Sequence, residues 1–564
     1  MQNIDALYEK WLKHPEMPKK LVSELKKMSA KAKTDAFYQN AEFGTAGMRG
    51  ILGAGTNRIN IFTIRKAAYG FGLYVIKHVR NAKERGIVIA HDNRHMSEEF
   101  TEESMKTLRS LGIKTFVFDE LKPTPLLSYA VRHLNAAGGI MITASHNPKN
   151  YNGFKVYDDT GAQLTPEKVD LLIAELKTLP DYLDIKIDDK VNGYILLSDD
   201  VELTYYSKVM KIQLRRDLPK KDFKIVFSPQ HGTGRKLGMR ALNVIGYNVI
   251  PVTEQMEPDP NFSGTKSPNP EEKAAYSEAI KYARAYGAHL IITTDPDADR
   301  LGIVAKNKKG DFDYLTGNQS AALLLDYLCK TNIELGKDIK GKYLYTTIVS
   351  SSLANEVAES YGLKVKEFLT GFKFIGAQIA EDDSKNEDYF FFGFEESYGL
   401  LAAPFVRDKD AIQAIVLYSE MALYYYLQGK TLGEVLDELY KKYGYHFDVT
   451  KSVAFPGAAG QSEMQEILKR LRDNPPVTIG GLNILRYDDY LTSKSVTSGE
   501  TTTLTLPKSN VIRYHLEGGT TISIRPSGTE PKCKIYYGII TENEKEAQDL
   551  LTLLEADIKV RFTL

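Results

Sequence analysis

A chain of 564 residues is too long for a single hydrophobic core, and its length fits three or four domains. Seventy-three basic side chains balance seventy-three acidic ones, so no net field draws the protein to nucleic acid or to an anionic membrane. The two cysteines, Cys329 and Cys533, give neither a disulfide framework nor a zinc ligand set and point to a reducing compartment.

Residues 1–40 are Lys-rich and predict a helical extension, whose opening from Met1 to Trp11 lacks the apolar centre of a signal peptide. An α/β pattern follows, with strands over 86–90, 114–119 and 139–142 and helices over 97–111 and 126–134. Short apolar strands alternating with helices predict a mostly parallel sheet. The pattern restarts with a strand over 223–228, a helix over 235–245, a strand over 248–252 and a helix over 271–286. A third restart has a helix over 319–328, a strand over 343–348, a helix over 353–361, a strand over 388–392 and helices over 411–427 and 432–442. The stretch 415–427 is the most apolar, yet it contains Ser419 and Glu420 and is too short to span a bilayer. Beyond about residue 445 the segments 510–516, 520–524 and 534–540 are β-rich, and a helix over 544–559 closes the chain. The expected class is α/β with four domains: three similar α/β domains with mixed, mostly parallel sheets and a C-terminal α+β domain with an antiparallel sheet. The expected limits are 1–40 for the helical extension, then 41–205, 206–315, 316–445 and 446–564.

Four loops carry chemistry. The apolar run at 139–142 breaks into Thr143-Ala-Ser-His-Asn-Pro148, which places the Ser145 hydroxyl at a strand end, where open α/β sheets bind ligands. A second apolar run ends in Asp295-Pro-Asp-Ala-Asp-Arg300, three carboxylates that repel one another unless a cation compensates them. They are hard oxygen ligands suited to Mg²⁺ or Mn²⁺. An EF-hand needs Gly at its sixth position and Glu at its twelfth, and Arg300 and Lys306 stand there instead. Gly393-Phe-Glu-Glu-Ser-Tyr-Gly399 offers Glu395 and Ser397 to the hydroxyls of a sugar. Arg525-Pro-Ser-Gly-Thr-Glu-Pro-Lys532 has the makings of an anion cradle, with the Arg525 fork, the Ser527 and Thr529 hydroxyls and backbone N–H groups around Gly528. Arg49 in Phe43-Gly-Thr-Ala-Gly-Met-Arg-Gly50 and Lys409 in Val406-Arg-Asp-Lys-Asp-Ala411 sit in two further loops. A serine nucleophile and a hard-cation site, each after a strand, equip a chain for metal-assisted phosphoryl transfer through a phosphoserine.

In this order the four loops resemble those of the α-D-phosphohexomutase family, over almost the whole chain from about Phe43 to Tyr537. The long form, with Phe43 to Gly50 near its start, resembles the phosphoglucomutase branch of that family. The resemblance implies one central cleft, a phosphoryl group on Ser145, and one Mg²⁺ per subunit held by Asp295, Asp297 and Asp299 with Ser145 as a further ligand. Arg49 and Lys155 then flank the reacting oxygen, with His146 and Lys409 as other proton-handling candidates and Lys155 as a base whose pKa Arg49 depresses. Glu395, Ser397, Arg525, Ser527, Gly528, Thr529 and Arg300 would bind substrate. Two departures from the family pattern bear on the choice of sugar: Phe394 stands between Gly393 and Glu395, and Ala411 follows Asp408-Lys-Asp410 where many members have Gly. The implied activity is reversible interconversion of glucose 1-phosphate and glucose 6-phosphate through glucose 1,6-bisphosphate, which doubles as activator. Rival readings are a mutase for mannose or pentose phosphates, a glucose-1,6-bisphosphate synthase, and a non-catalytic sugar-phosphate-binding protein. The expected partners are small sugar phosphates only, without nucleic acid or membrane, in a cytoplasmic monomer or homodimer.

Overall fold

The computed structural model describes residues 3–44, 47–188, 193–455, 457–526 and 532–562. They fall into two compact units, 1–317 with 371–429, and 318–370 with 430–564. No helix among the described residues is long and apolar enough to cross a membrane.

In the first unit the N-terminal extension forms three helices, Ile4–Leu12, Lys19–Lys27 and Ala30–Phe37. The Asn3 and Ser29 side chains cap the first and third by accepting from backbone N–H groups. The three helices bury Trp11, Leu25 and Phe37 against Phe62 and Tyr182.

A seven-stranded sheet follows, ordered Phe43–Gly44, Gly47–Ile51, Tyr151–Tyr157, Gly138–Ile142, Ile87–His91, Thr115–Val117, Ile195–Leu196. Its last four strands run parallel. The remaining pairings are antiparallel, so the sheet is mixed. Gly138–Ile142 is buried throughout, which is why it reads as an unbroken apolar run. Asn152 to Lys155 lies inside the strand Tyr151–Tyr157 despite its loop-like composition, and the Gly-rich stretch at 43–50 contributes two strands rather than a loop. Pairing with neighbours on both edges buries Phe154 and Val156 and outweighs the loop-like composition.

A five-stranded sheet is ordered Phe312–Tyr314, Leu301–Lys306, Leu290–Thr294, Lys224–Ser228, Asn248–Pro251. Its last three strands are parallel and the first two join antiparallel. The helix expected from residue 271 begins only at Ser277, after a 3₁₀ turn over Lys273–Tyr276. Asn269 accepts from the Glu271 and Glu272 backbones and keeps the preceding residues in a turn. The unit also holds the helix Phe372–Ser384, the antiparallel pair Phe390–Glu395 and Gly399–Leu401, and the almost wholly buried helix Ala411–Leu427.

The second unit pairs Tyr343–Thr347 with Lys364–Phe368 in parallel, beside the helices Ser352–Ser360 and Leu432–Tyr443. Its antiparallel sheet runs Tyr445–Ala454, Lys532–Thr541, Thr521–Pro526, Ile512–Leu516, Leu482–Asp489, Lys494–Thr497, Glu500–Thr503. The helices Gly457–Asp473 and Glu544–Phe562 pack on it through Leu468 and Leu554, over Ile522, Ile524 and Ile535.

Candidate active site

The buried strand Gly138–Ile142 delivers its chain end into a tight turn. Ser145 sits there with φ +50°, in the left-handed region, and is 2% exposed. Its backbone N–H donates to Thr143 Oγ1 at 2.8 Å. Its hydroxyl donates to Asp295 Oδ2 at 2.6 Å and lies 3.2 Å from His146 Nδ1. Arg49 Nη1 donates to Asn147 Oδ1 at 2.7 Å, tying the strand Gly47–Ile51 to the same turn. Gly153 permits this closeness, because a Cβ there would stand 2.6 Å from the Met48 carbonyl oxygen and 2.7 Å from that of Thr143.

The three aspartates occupy the loop between the antiparallel strands Leu290–Thr294 and Leu301–Lys306. Asp295 Oδ1 accepts the Asp299 N–H at 3.2 Å and the Arg300 N–H at 3.0 Å, and Ala298 turns with φ +51°. The loop therefore folds back on its first carboxylate. All three side chains are buried, and they offer carboxylate oxygens within 4.8 Å of one another. Asp297 Oδ1 and Asp299 Oδ1 are buried without a hydrogen-bond partner among the described residues. Orphaned anionic oxygens on a cluster of hard donors fit a divalent cation such as Mg²⁺.

Cations surround the cluster. Lys155 Nζ lies 2.7 Å from Asp297 Oδ2 and 3.2 Å from Asp299 Oδ2. Lys409 Nζ lies 3.2 Å from Asp299 Oδ2, 3.0 Å from Asp408 Oδ1 and 4.0 Å from Glu395 Oε2. Arg300 pairs with Glu271 at 2.5 Å. Burial, reinforced by Asp297 and Asp299, pushes the Asp295 carboxyl well above the usual range. Burial acts on Asp299 as well, but Lys155 and Lys409 overcome it and hold Asp299 low. Burial weakens the Lys155 ammonium, yet Asp297 and Asp299 outweigh it and raise the lysine's pKa. The expectation of a Lys155 depressed by Arg49 is thereby corrected: two carboxylates at contact distance fix its charge. His146 goes the other way, held well below its ordinary value by burial and then by Arg300 and Arg49.

Lys409 reaches the cluster because Asp410 caps the helix Ala411–Leu427, accepting from Ile412 N at 2.9 Å and Gln413 N at 3.1 Å. Tyr157 donates to Asp408 at 2.8 Å and Tyr205 to Asp410 at 2.9 Å, fixing the residues on either side of the lysine. These contacts give two of the chain's 34 tyrosines a place in the site's support. Gly399 opens the channel for the lysine stem, since a Cβ there would stand 2.0 Å from Lys409 Cδ. Gly399→Ala is expected to cost about 1–3 kcal/mol of stability by overpacking, and turnover falls about tenfold or more as Lys409 is displaced. Urea unfolding and a turnover assay check both, and an alanine variant with wild-type turnover would show that the placement of Lys409 does not govern catalysis.

Ser145, His146, Arg49, Lys155, the three aspartates, Arg300, Glu395 and Lys409 thus converge in the first unit. Ser397 lies in the turn between Phe390–Glu395 and Gly399–Leu401. Arg525 belongs to the strand Thr521–Pro526 of the second unit, opposite Lys534. Ser527, Gly528 and Thr529 lie outside the described residues. The sequence reading gave no site role to Asp92, Arg94, Thr124 or Asp408. Thr124 stands at the start of the helix Thr124–His133, where its N–H donates to the Asp297 carbonyl at 2.9 Å and its Oγ1 to Asp297 Oδ2 at 2.9 Å. An acid-x-Arg pair, Asp92 and Arg94, directly after the strand Ile87–His91 was the available signal for two of the four.

Fold and site together define an α/β phosphotransferring enzyme. Models of the phosphoglucomutase/phosphomannomutase α/β/α domains I, II and III match residues 40–182, 204–310 and 316–443. A phosphoglucomutase of Staphylococcus aureus is 41% identical over 515 residues, covering 90% of this chain and 91% of that protein. A second, from another strain of that species, is 40% identical over 511 residues, covering 90% of each. Among solved structures, a phosphoglucomutase/phosphomannomutase family protein from Burkholderia thailandensis superposes with a TM-score of 0.68 at 16% identity, covering 92% of this chain and 97% of that one. The open form of pp63/parafusin from Paramecium gives 0.64 at 19% identity, covering 93% and 95%. The chain belongs to the phosphoglucomutase/phosphomannomutase family, the α-D-phosphohexomutases. Its three α/β domains with mixed sheets and its C-terminal antiparallel-sheet domain are that family's four-domain architecture.

Proposed function

We infer that this chain is a phosphoglucomutase, an intramolecular phosphotransferase that interconverts glucose 1-phosphate and glucose 6-phosphate through a phosphoserine at Ser145. The observation that carries this reading is the Ser145 hydroxyl donating at 2.6 Å into the buried triad of Asp295, Asp297 and Asp299. The name borne by relatives near 40% identity over nine-tenths of the chain supports the choice of sugar. Mg²⁺, one per subunit, supplies charge neutralisation for the phosphoryl group when the triad binds it.

In the proposed cycle the free C6 hydroxyl of glucose 1-phosphate attacks the phosphorus on Ser145, the bond from phosphorus to the serine oxygen breaks, and the proton given up by the C6 hydroxyl ends on the departing Ser145 Oγ. The product, glucose 1,6-bisphosphate, turns over, and Ser145 Oγ takes the other phosphoryl group. Phosphoryl transfer passes through a loose transition state, so charge placement matters more than a strong base. Lys155 and Lys409, both held charged, fit that demand, as does Arg49 beside the turn. Buried Glu395, with Ser397, supplies acceptors for sugar hydroxyls. Arg525 with Ser527, Gly528 and Thr529 takes the non-reacting phosphate. The domain limits 41–205, 206–315, 316–445 and 446–564, a cytoplasmic setting and glucose 1,6-bisphosphate as activator belong to the same proposal.

Two measurements test it. The specificity constant for glucose 1-phosphate should exceed those for mannose 1-phosphate and ribose 1-phosphate by at least about tenfold. The intact mass should gain one phosphoryl group on incubation with glucose 1,6-bisphosphate. A preference for mannose or ribose phosphates would overturn the sugar assignment, and an unchanged mass would overturn the phosphoserine.

A further inference from the structure

We propose that Asp92, Arg94 and Thr143 form a closed clamp that holds Ser145 in its left-handed backbone conformation, and so aims the phosphoryl-carrying hydroxyl at Asp295. The inference rests on the phosphoserine reading above and assigns the three residues positioning roles.

A serine at φ +50° stays there only when its surroundings fix it. Here both backbone groups of Ser145 are held. Its N–H donates to Thr143 Oγ1 at 2.8 Å, and the Thr143 hydroxyl donates onward to Asp92 Oδ2 at 2.6 Å. Its carbonyl accepts from Arg94 Nη2 at 2.6 Å. Arg94 Nε lies 3.3 Å from Asp92 Oδ2, an ion pair without hydrogen-bond geometry that completes the ring.

The guanidinium does more than pair with Asp92. It also donates to the carbonyls of Asn147, of Pro148 at 2.8 Å and of Tyr151 at 3.0 Å. All four acceptors thus lie in one stretch, from Ser145 to Tyr151 at the start of the following strand. A planar fork with fixed donor directions suits this task, and a lysine ammonium does not. Both charged side chains are almost wholly buried, and Arg94 Cζ lies 5.1 Å from the Phe262 ring centroid, which shields the fork from water. Asp92 Oδ1 is braced in turn by Arg94 N at 2.9 Å and Ser97 Oγ at 2.9 Å. A pair placed only for stability has no reason to spend its donors on the carbonyls of the catalytic turn. Were Ser145 to leave the left-handed region, its Cα–Cβ bond would swing and carry Oγ away from Asp295.

Thr143→Val is the sharpest test, because it removes the bridging hydroxyl without stranding a charge. It should lower kcat by about 30-fold or more while KM for glucose 1-phosphate stays within about threefold, the signature of a misaimed nucleophile rather than lost binding. Thr143→Ser restores the hydroxyl and should recover kcat to within about fivefold of wild type. Arg94→Lys keeps the charge but loses the fork, and should cost about 100-fold or more in kcat at similar KM. Assays are run where circular dichroism shows the variants folded. A purely structural role would lower Tm and leave kcat of the folded protein intact, so a folded valine variant with kcat within about threefold of wild type overturns the clamp. If the valine variant does not fold, Thr143→Ala removes the same hydroxyl and decides on the same criterion. Wild-type protein that gains no phosphoryl mass from glucose 1,6-bisphosphate defeats the phosphoserine reading itself. Wild type phosphorylated on Ser145, with an unimpaired valine variant, defeats only the clamp.

Discussion

Ser145→Ala is expected to lose mutase turnover by about 10⁴-fold or more while the protein stays folded and binds sugar phosphates. The change deletes one oxygen. That oxygen makes two contacts, with Asp295 and with His146, and neither supports the turn's backbone. The Ser145 N–H bond to Thr143 and the bond from Arg94 to its carbonyl both survive the substitution. Alanine has the same backbone freedom as serine, so the cost of φ +50° is unchanged. Tm should therefore move by no more than about 2–3 °C. Among the described residues no other hydroxyl donates to the triad except that of Thr124, which is also held at its backbone by Asp297. Glu395, Lys155 and Lys409 remain in place for ligand binding. Isothermal titration with glucose 6-phosphate should give a dissociation constant within about threefold of wild type, and intact mass should show no phosphoryl uptake. An alanine variant that keeps a tenth of wild-type turnover would place the covalent intermediate elsewhere, with His146 as the first place to look.

Much of this site was legible because its groups follow strands. The runs at 86–90 and 139–142 are apolar throughout, since parallel strands covered on both faces have no polar side to show. The stretches that end such runs are where ligands bind, which singled out both Ser145 and the aspartate loop. The alternate spacing of Asp295, Asp297 and Asp299 was itself informative, because like charges held together imply a counter-ion. What sequence hid was long-range. Arg94 meets its carbonyl acceptors 51 to 57 residues further along, and nothing local announces that an arginine after a strand will serve a turn so distant. Thr124 is 173 residues from Asp297, and a helix-start threonine is ordinarily a cap. Lys155 was singled out, but its protonation depended on carboxylates 142 and 144 residues away, so the resemblance, which set Arg49 beside it, suggested the wrong direction of shift.

Other gaps were failures of pattern. The strand Tyr151–Tyr157 carries Asn152 and Gly153, which read as turn residues; the close approach of Met48 and Thr143 backbones explains why glycine stands in a strand there. The helix Gly457–Asp473 went unmarked, although Met464, Ile467, Leu468 and Leu471 recur at helical spacing and are all buried. There the 3.6-residue period was present but surrounded by β-rich segments.

Asp295→Asn should separate stability from function. In the cation-free protein Asp295 is the least compensated member of the triad. The two lysines pair with Asp297 and Asp299, while Asp295 receives hydrogen bonds from Asp299 N, Arg300 N and the Ser145 hydroxyl. Burial and its two acidic neighbours push its carboxyl up, meaning that its charge is disfavoured where it stands. Asparagine has the same shape. Its carbonyl oxygen can keep both backbone N–H groups, and its amide can donate towards Ser145 Oγ or the Asp297 carboxylate. Neutralising one of three clustered charges should then stabilise the metal-free protein by about 1 kcal/mol, a Tm rise of about 1 °C in a chain of this size. The cost falls on metal binding and turnover. The triad loses one of its hard anionic donors, so the Tm increase that Mg²⁺ confers on wild type should largely disappear, and turnover should fall by about 10³-fold. Thermal melts with and without Mg²⁺ read the first two effects, and a coupled assay reads the third. The opposing signs make the test strict. A general structural role for Asp295 predicts a lower metal-free Tm, and a triad that serves no cation predicts an unchanged response to Mg²⁺. A higher metal-free Tm combined with lost turnover is what three carboxylates gathered against their own repulsion, for the sake of an ion, must show.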